Sequence, residues 1–153
     1  MLTKLELSAA DRASRLRACL WSEALSDDVV AALGARMSAY AAAPGDALVD
    51  EADGSAWFGV IVAGEAEVTQ SFVAGERVLR VMGPGRAFGE LALVDGSPRS
   101  ASIEALSELT FLVLTPGQLD TMVAEDPATA FAFMRRIAGT LAQRIRMVER
   151  NRY

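Results

Sequence analysis

Short β-like runs separated by turn residues fill the middle of the chain, from Met37 to Thr115. They recur about every eight to twelve residues, a spacing typical of β-sandwiches and β-barrels. Trp57–Val62 is almost continuously apolar and should be buried on both faces, whereas Glu65–Thr69 alternates as a half-exposed strand does. The pattern predicts eight strands, at about residues 37–42, 46–50, 56–63, 65–72, 76–82, 86–87, 99–105 and 108–115.

Helical patterns flank this β region on both sides. Ser8 and Ser26 precede runs with acidic residues in the first turn, which predicts N-capped helices at 8–21 and from Ser26 to a glycine end at Gly34. Beyond Pro116, a short helix is predicted at 117–125 and a long one at 127–150. A chain of 153 residues is sized for one domain. We predict a single, mainly β domain, 1–153, with N-terminal helices in 1–36, the β region in 37–116 and C-terminal helices in 117–153.

The long C-terminal helix carries two apolar stripes. One repeats at intervals of three and four residues for about three heptads, as in helices that pair with each other. A second stripe, Phe133 and Ile137, should face the chain's own sheet. We therefore expect a homodimer through this helix, although all of these side chains could instead pack within one domain. The first stripe contains Phe131, Met134, Ala138, Leu141, Ile145 and Val148.

The composition disfavours several classes of function. The chain has no histidine, and Cys19 is its only cysteine, which argues against most zinc sites, haem and iron–sulfur clusters. An enzyme on a similar barrel, such as a cupin, usually relies on histidine metal ligands, so no enzyme activity, cofactor or metal is expected. No apolar run approaches the ~20 residues of a membrane span, and no signal peptide pattern opens the chain. We expect a cytoplasmic protein without membrane contact.

The stretch Phe88–Ala101 has the features of a pocket for an anion that carries a sugar. Gly89 lacks a Cβ and allows close approach to its backbone. Glu90 to Val94 fit one helical turn, whose first N–H groups attract phosphate. Arg99 can add a guanidinium fork, and Glu90 suits the hydroxyls of a ribose better than a phosphate. Taken one at a time, Gly89 also fits a turn glycine, Glu90 an acidic residue at a helix N-terminus and Arg99 a partner in a surface ion pair. Together they predict a site for phosphate and ribose.

The motifs and their order resemble the cyclic-nucleotide-binding domain, the sensor shared by catabolite activator proteins, cyclic-nucleotide-dependent kinases and cyclic-nucleotide-gated channels. The resemblance covers the chain from about Leu20 to Arg150 and implies an eight-stranded, jelly-roll-like β-roll whose inserted short helix cradles a cyclic phosphate. The residues that carry it are Pro44-Gly45-Asp46, Phe58 to Glu65, Met82 to Leu93 and Pro98-Arg99-Ser100-Ala101-Ser102.

The resemblance also implies a role for each motif residue. Gly89 supplies a close backbone contact, Glu90 binds the ribose 2′-hydroxyl and Arg99 pairs with the phosphate. Leu91 and Ala92 belong to the same motif, and Ser100 contacts phosphate or base. Val68 and Leu79 match apolar walls near the base. In the family a serine after the arginine usually accompanies adenine, so cAMP is favoured over cGMP. The family's long helix closes over the base, but Val148 and Glu149 offer no clear polar contact.

The function implied is a stand-alone sensor that binds a cyclic nucleotide and changes the arrangement of its C-terminal helix or dimer. Catabolite activators append a helix-turn-helix domain after the long helix. None follows here, so no direct DNA binding is expected. Two alternatives remain: the sensor part of a transcription regulator that acts through a separate DNA-binding partner, and a degenerate β-roll interaction module without a ligand.

Overall fold

Two antiparallel sheets form the centre of the protein. The computed structural model describes residues 1–72 and 75–152. The strands, in chain order, are β1 (Thr3–Leu5), β2 (Ser38–Ala42), β3 (Ala47–Val49), β4 (Phe58–Ala63), β5 (Ala66–Phe72), β6 (Gly75–Met82), β7 (Ala87–Phe88), β8 (Ser102–Ala105) and β9 (Leu109–Leu114). One sheet has the order β1-β2-β9-β4-β7 and the other β3-β8-β5-β6. The helices are α1 (Ala9–Arg17), α2 (Asp27–Arg36), α3 (Glu90–Asp95), α4 (Pro116–Glu125) and α5 (Pro127–Arg152).

The predicted fold class is confirmed, and each of the eight predicted strands has a counterpart in these sheets. The described residues contain one further strand, β1, which pairs with β2 through Thr3 opposite Ala41 and Leu5 opposite Ala39. Three residues are too few to show an alternating pattern. This strand is therefore defined by its partner rather than by its own sequence.

The N-terminal helices begin where their serines predict. Ser8 accepts a hydrogen bond from the Asp11 backbone N–H at 3.1 Å, and Ser26 accepts one from Val29 at 3.3 Å. The predicted extent of the first helix is wrong, because α1 ends at Arg17 and a 3-10 turn follows at Leu20–Ser22.

The predicted helix end at Gly34 is also wrong. The residue lies inside α2, which continues to Arg36. A Cβ on Gly34 would lie 2.7 Å from the Cα of Ala13 in α1. The glycine therefore permits close contact between the two helices rather than ending one of them.

The long helix α5 packs on the first sheet through its second apolar stripe. Phe133 and Ile137 are fully buried, and the Phe133 ring lies 5.3 Å from that of Phe58 in β4. Trp21, in the 3-10 turn, contacts both rings, with centroid distances of 5.2 and 6.0 Å. The predicted orientation of this stripe is confirmed.

The first stripe on α5 is divided between two environments. Met134 and Leu141 are partly buried against the domain's own core. Phe131, Ile145 and Val148 are 68%, 60% and 67% exposed. One part of the stripe therefore completes the domain, while the other lies at the surface.

No helix in residues 1–72 and 75–152 combines the length and the apolar character that a membrane crossing requires. Over the same residues, no group of three or more acidic, histidine or cysteine side chains is arranged to hold a metal ion.

Candidate functional site

The short helix α3 starts at a left-handed glycine. Strand β7 ends at Phe88, and Gly89 then adopts φ +83°, which turns the chain into the helix. Gly96, at φ +67°, ends α3 after six residues, and its N–H donates to the Ala92 carbonyl at 2.8 Å. The two glycines define where this short helix begins and ends, because both backbone conformations are unfavourable for other residues.

Arg99 is buried directly beside Gly89. The residue is 7% exposed, and its Nη2 donates to the Trp57 carbonyl at 2.7 Å. The guanidinium also lies 5.0 Å from the centroid of the Trp57 ring, and Nε is 3.4 Å from the Ser55 hydroxyl. Burial lowers the pKa of Arg99, whereas the nearby Asp53 and Glu90 carboxylates raise it. The side chain is thus a cation held in place away from solvent.

The close fit around Arg99 depends on the missing side chain of Gly89. A Cβ at residue 89 would lie 2.6 Å from Arg99 Nη1 and 2.6 Å from the Trp57 carbonyl oxygen. Within the described residues, Nη1 has no hydrogen-bond acceptor. This donor is therefore positioned next to the start of α3 and is free to bind an anion.

Glu90, the first residue of α3, is 3% exposed. Its Oε1 accepts a hydrogen bond from Arg144 Nη2 of helix α5 at 3.2 Å. Its Oε2 has no hydrogen-bond partner in the described part of the chain. The carboxylate is consequently oriented by α5 on one side and keeps one oxygen available for a hydroxyl donor.

Arg99 and Glu90 line one cavity of about 130 Å³, which we call the motif cavity. Two apolar walls, from β5 and β8, face these charges. Seven of the eight predicted site residues lie in the lining: Val68, Gly89, Glu90, Leu91, Ala92, Arg99 and Ser100. The cavity is also lined by Val49, Arg80, Phe88, Ser97, Pro98, Ala101, Ile103 and Arg144.

Leu79 is the predicted residue that the structure does not bring to the motif cavity. It is 46% exposed and falls at an irregularity in the β5–β6 pairing, where Val68 pairs with Arg80 and Thr69 with Val78. An extra residue at this point changes which side chains face the cavity. The assignment of Leu79 to a wall near the base stays a prediction.

Sequence reasoning did not single out Trp57 or Arg144. Trp57 contributes through its backbone carbonyl, which any residue would supply, and through its ring, which lies 5.0 Å from the Arg99 guanidinium. Arg144 is one of six arginines between residues 128 and 153, and no local pattern separates it from the others. Its role depends on the packing of α5 beside α3, which only the tertiary structure reveals.

Comparison with known proteins gives the class of this domain. The family profile described as "Cyclic nucleotide-binding domain" matches residues 41–126, more than half of the chain. The chain therefore belongs to the cyclic-nucleotide-binding domain family. The resemblance drawn from its motifs is confirmed.

Individual relatives support the same class. A solved cyclic-nucleotide-binding domain from Methylobacillus flagellatus has a TM-score of 0.81 at 26% identity, over 95% of this chain and 84% of that one. The cAMP-dependent protein kinase regulatory subunit of Mycosarcoma maydis is 38% identical over 61 residues, which are 40% of this chain and 12% of the relative. The CRP-like cAMP-activated global transcriptional regulator of Mycobacterium tuberculosis is 28% identical over 93 residues, 60% of this chain and 40% of the relative. The chain spans less than half the length of these two curated relatives.

Substitution of the α3 glycines tests the close fit around Arg99. Gly89→Ala should destabilise the domain more than Gly96→Ala, although both residues have positive φ. A non-glycine residue in this conformation costs about 1–2 kcal/mol. Only at residue 89 does the new Cβ also meet Arg99 and Trp57, while at residue 96 no atom lies within 4 Å. Urea denaturation measures the difference; equal losses of unfolding free energy would show that the contact is easily relieved.

Proposed function

We propose that this domain binds a cyclic nucleotide in the motif cavity, with cAMP favoured over cGMP, and acts as a regulatory sensor. The observation that carries the proposal is the pairing of a buried cation with a buried carboxylate in one cavity. Arg99 is 7% exposed and Glu90 is 3% exposed. A cyclic nucleotide offers both an anion and a ribose hydroxyl, and therefore a partner for each.

Arg99 is the proposed phosphate ligand. Its Nη2 and Nε are used within the protein, while Nη1 remains available beside Gly89. Charge-assisted hydrogen bonds between guanidinium and phosphate are among the stronger polar contacts in proteins. The backbone of Gly89 lets the phosphate approach closely, and Leu91 and Ala92 belong to the same turn around it. Because the guanidinium is already oriented, little side-chain entropy is lost when the anion binds.

Glu90 is the proposed ligand of the ribose 2′-hydroxyl. Oε1 is held by Arg144, and Oε2 is the oxygen that remains for the sugar. The carboxylate accepts hydrogen bonds and repels phosphate, so the two buried charges orient the nucleotide in one direction.

The base is proposed to lie against the apolar wall to which Val68 contributes, with Leu79 close by and Ser100 in contact with phosphate or base. Val68 is 6% exposed and lines the cavity, as Ser100 does. The preference for cAMP rests on Ser100, which follows the arginine, because a serine at this position usually accompanies adenine in the family.

Helix α5 is the proposed output element. It joins the site through Arg144 and the core through Phe133 and Ile137. A nucleotide on Glu90 acts on the Arg144 contact and can therefore shift α5, to the extent that it prefers one arrangement of the helix. We propose that α5 also forms a homodimer through its exposed apolar residues, and that the role is regulatory, without catalysis or direct DNA contact. The stripe proposed for the dimer is Met134, Ala138, Leu141, Ile145 and Val148.

Calorimetric titration with cAMP and cGMP tests the ligand and the role of Arg99. Wild-type protein should saturate with at least one nucleotide, and cAMP should bind more tightly. Arg99→Gln should weaken binding about 10- to 150-fold, because a hydrogen bond to a charged group contributes about 1.5–3 kcal/mol. Arg15→Gln removes a charge from an exposed position on α1 and should leave the affinity unchanged. Failure of both nucleotides to bind at millimolar concentration would refute the proposed ligand.

An analogue that lacks the 2′-hydroxyl tests Glu90. Wild-type protein should prefer cAMP over 2′-deoxy-cAMP by about tenfold or more, since the contact is to a charged acceptor. In Glu90→Gln this preference should shrink to a few-fold, because a neutral acceptor contributes only about 0.5–1.5 kcal/mol. Glu104→Gln, at an exposed position in β8, is the matched control and should keep the wild-type preference. A preference that is unchanged in Glu90→Gln would assign the ribose to another residue.

Sedimentation equilibrium tests the proposed dimer. Ile145→Glu places a charge at a side chain that is 60% exposed in the single chain but would be buried between two copies of α5. The variant should sediment as a monomer, while wild-type protein sediments as a dimer. Gln143→Glu introduces the same side chain outside the stripe and should remain dimeric. A monomeric wild-type protein would disprove the helix interface.

A further inference from the structure

A second cavity, of about 410 Å³, lies next to the motif cavity. The two cavities share Arg80, Glu90 and Arg144 in their walls. The larger one is bordered by β6, the segment before β7, the 3-10 turn and α5, and it opens to solvent. We call it the arginine cavity, because Arg80, Arg86, Arg136 and Arg144 all line it.

The charge of the arginine cavity is opposite to that of the protein. The whole chain has a net charge of −5, yet four guanidinium groups meet here. Among the described residues in its lining, Glu90 is the only carboxylate. Clefts with one sign of charge concentrate ligands of the other sign, so this region selects anions.

Two of the four arginines are already committed to protein partners. Arg136 donates Nε to the Trp21 carbonyl and Nη1 to the Thr140 hydroxyl, each at 2.7 Å. Arg144 donates to Glu90 at 3.2 Å. These bonds hold both side chains in the wall and orient their remaining N–H groups.

The other two, Arg80 and Arg86, have no carboxylate within 4.0 Å in the described part of the chain. Partial burial lowers the pKa of Arg80, and the neighbouring Arg144 and Arg86 lower it further, while Glu90 raises it. Both side chains are exposed to solvent, and Glu90 is the carboxylate of the lining that is available to balance their charge.

A third observation comes from Trp21, which lines the same cavity and is 4% exposed. Its indole Nε1 is buried and has no hydrogen-bond acceptor, the single such side-chain atom in the residues the structure describes. A buried donor without a partner is costly. The Trp21 indole thus forms part of the wall, while its N–H group is buried beneath the surface of the cavity.

We infer that the arginine cavity is a second ligand site, for a small molecule that carries a diphosphate or polyphosphate group. Guanidinium forks match phosphate oxygens in geometry, and several adjoining phosphates offer the charge that Arg80 and Arg86 lack.

The site is distinct from the motif cavity but adjoins it. Arg86 and Trp21 line only the arginine cavity, whereas Gly89 and Arg99 line only the motif cavity. Arg80, Glu90 and Arg144 lie between them. An anion on the arginine side changes the charge around Glu90 and consequently alters nucleotide affinity, and the nucleotide alters anion affinity by the same factor.

Inorganic pyrophosphate is the probe for this site. Its binding is monitored through the indole N–H resonances of the two tryptophans in ¹H–¹⁵N spectra at constant ionic strength. Trp57→Phe assigns the two signals. The Trp21 resonance should shift saturably as pyrophosphate binds. Arg86→Gln should raise the apparent dissociation constant at least tenfold, while cAMP affinity in this variant should change much less.

Two controls locate the bound anion. Arg99→Gln, which alters only the motif cavity, should keep the pyrophosphate response even though nucleotide binding is weakened. Arg146→Gln removes an exposed charge from α5 outside the cavity lining and should also keep it. This pattern tests the second site and the cyclic-nucleotide site independently, so that either hypothesis can be refuted while the other stands.

Three results would overturn the inference. The first is the absence of a saturable Trp21 shift at millimolar pyrophosphate. The second is a response that Arg99→Gln abolishes and Arg86→Gln preserves, which would place the anion on the nucleotide's phosphate position. The third is an equal loss of cAMP and pyrophosphate affinity in Arg86→Gln, which would make the arginine cavity part of the nucleotide pocket.

Discussion

The burial of the Arg99 guanidinium is the constraint on which the candidate site depends. A cation removed from water is costly unless oxygens and aromatic faces replace the lost hydration. The Trp57 carbonyl, the Trp57 ring and the Ser55 hydroxyl supply part of that replacement. The guanidinium fits only because Gly89 has no Cβ, since that atom would lie 2.6 Å from Nη1. Arg99, which lies in the segment before β8, thereby contacts both the segment before β4 and the turn between β7 and α3.

The long helix α5 connects this site to the rest of the molecule. Phe133 and Ile137 anchor it in the core, and Arg144 contacts Glu90 from the same helix. The helix is continuous from Pro127 to Arg152, so Arg144 belongs to the same element as the residues anchored in the core. In the proposed mechanism, this contact couples nucleotide binding to the surface that α5 presents. The arginine cavity borders the same contact, so its occupant would act on the same element.

Much of the fold could be predicted because its signals are local. Turn residues at regular spacing marked all eight predicted strands, and serine caps marked the starts of α1 and α2. The predictions are wrong where a residue distant in sequence determines the local structure. Strand β1 forms only by pairing with β2, and Gly34 lies inside α2 because Ala13 packs against it. Neither partner is visible within a local window of the sequence.

For the site, the sequence by itself determined which residues carry the family motif: Gly89, Glu90 and Arg99 at their spacing. It could do so because these residues lie close together along the chain. Tertiary structure alone decided the surroundings of those residues. It brought Arg144 to Glu90 across 54 positions, set the Trp57 carbonyl against Arg99 and left Leu79 outside the motif cavity. It also gathered Arg80, Arg86, Arg136 and Arg144 around one space, because helix packing and strand register, rather than local sequence, determine which distant side chains meet.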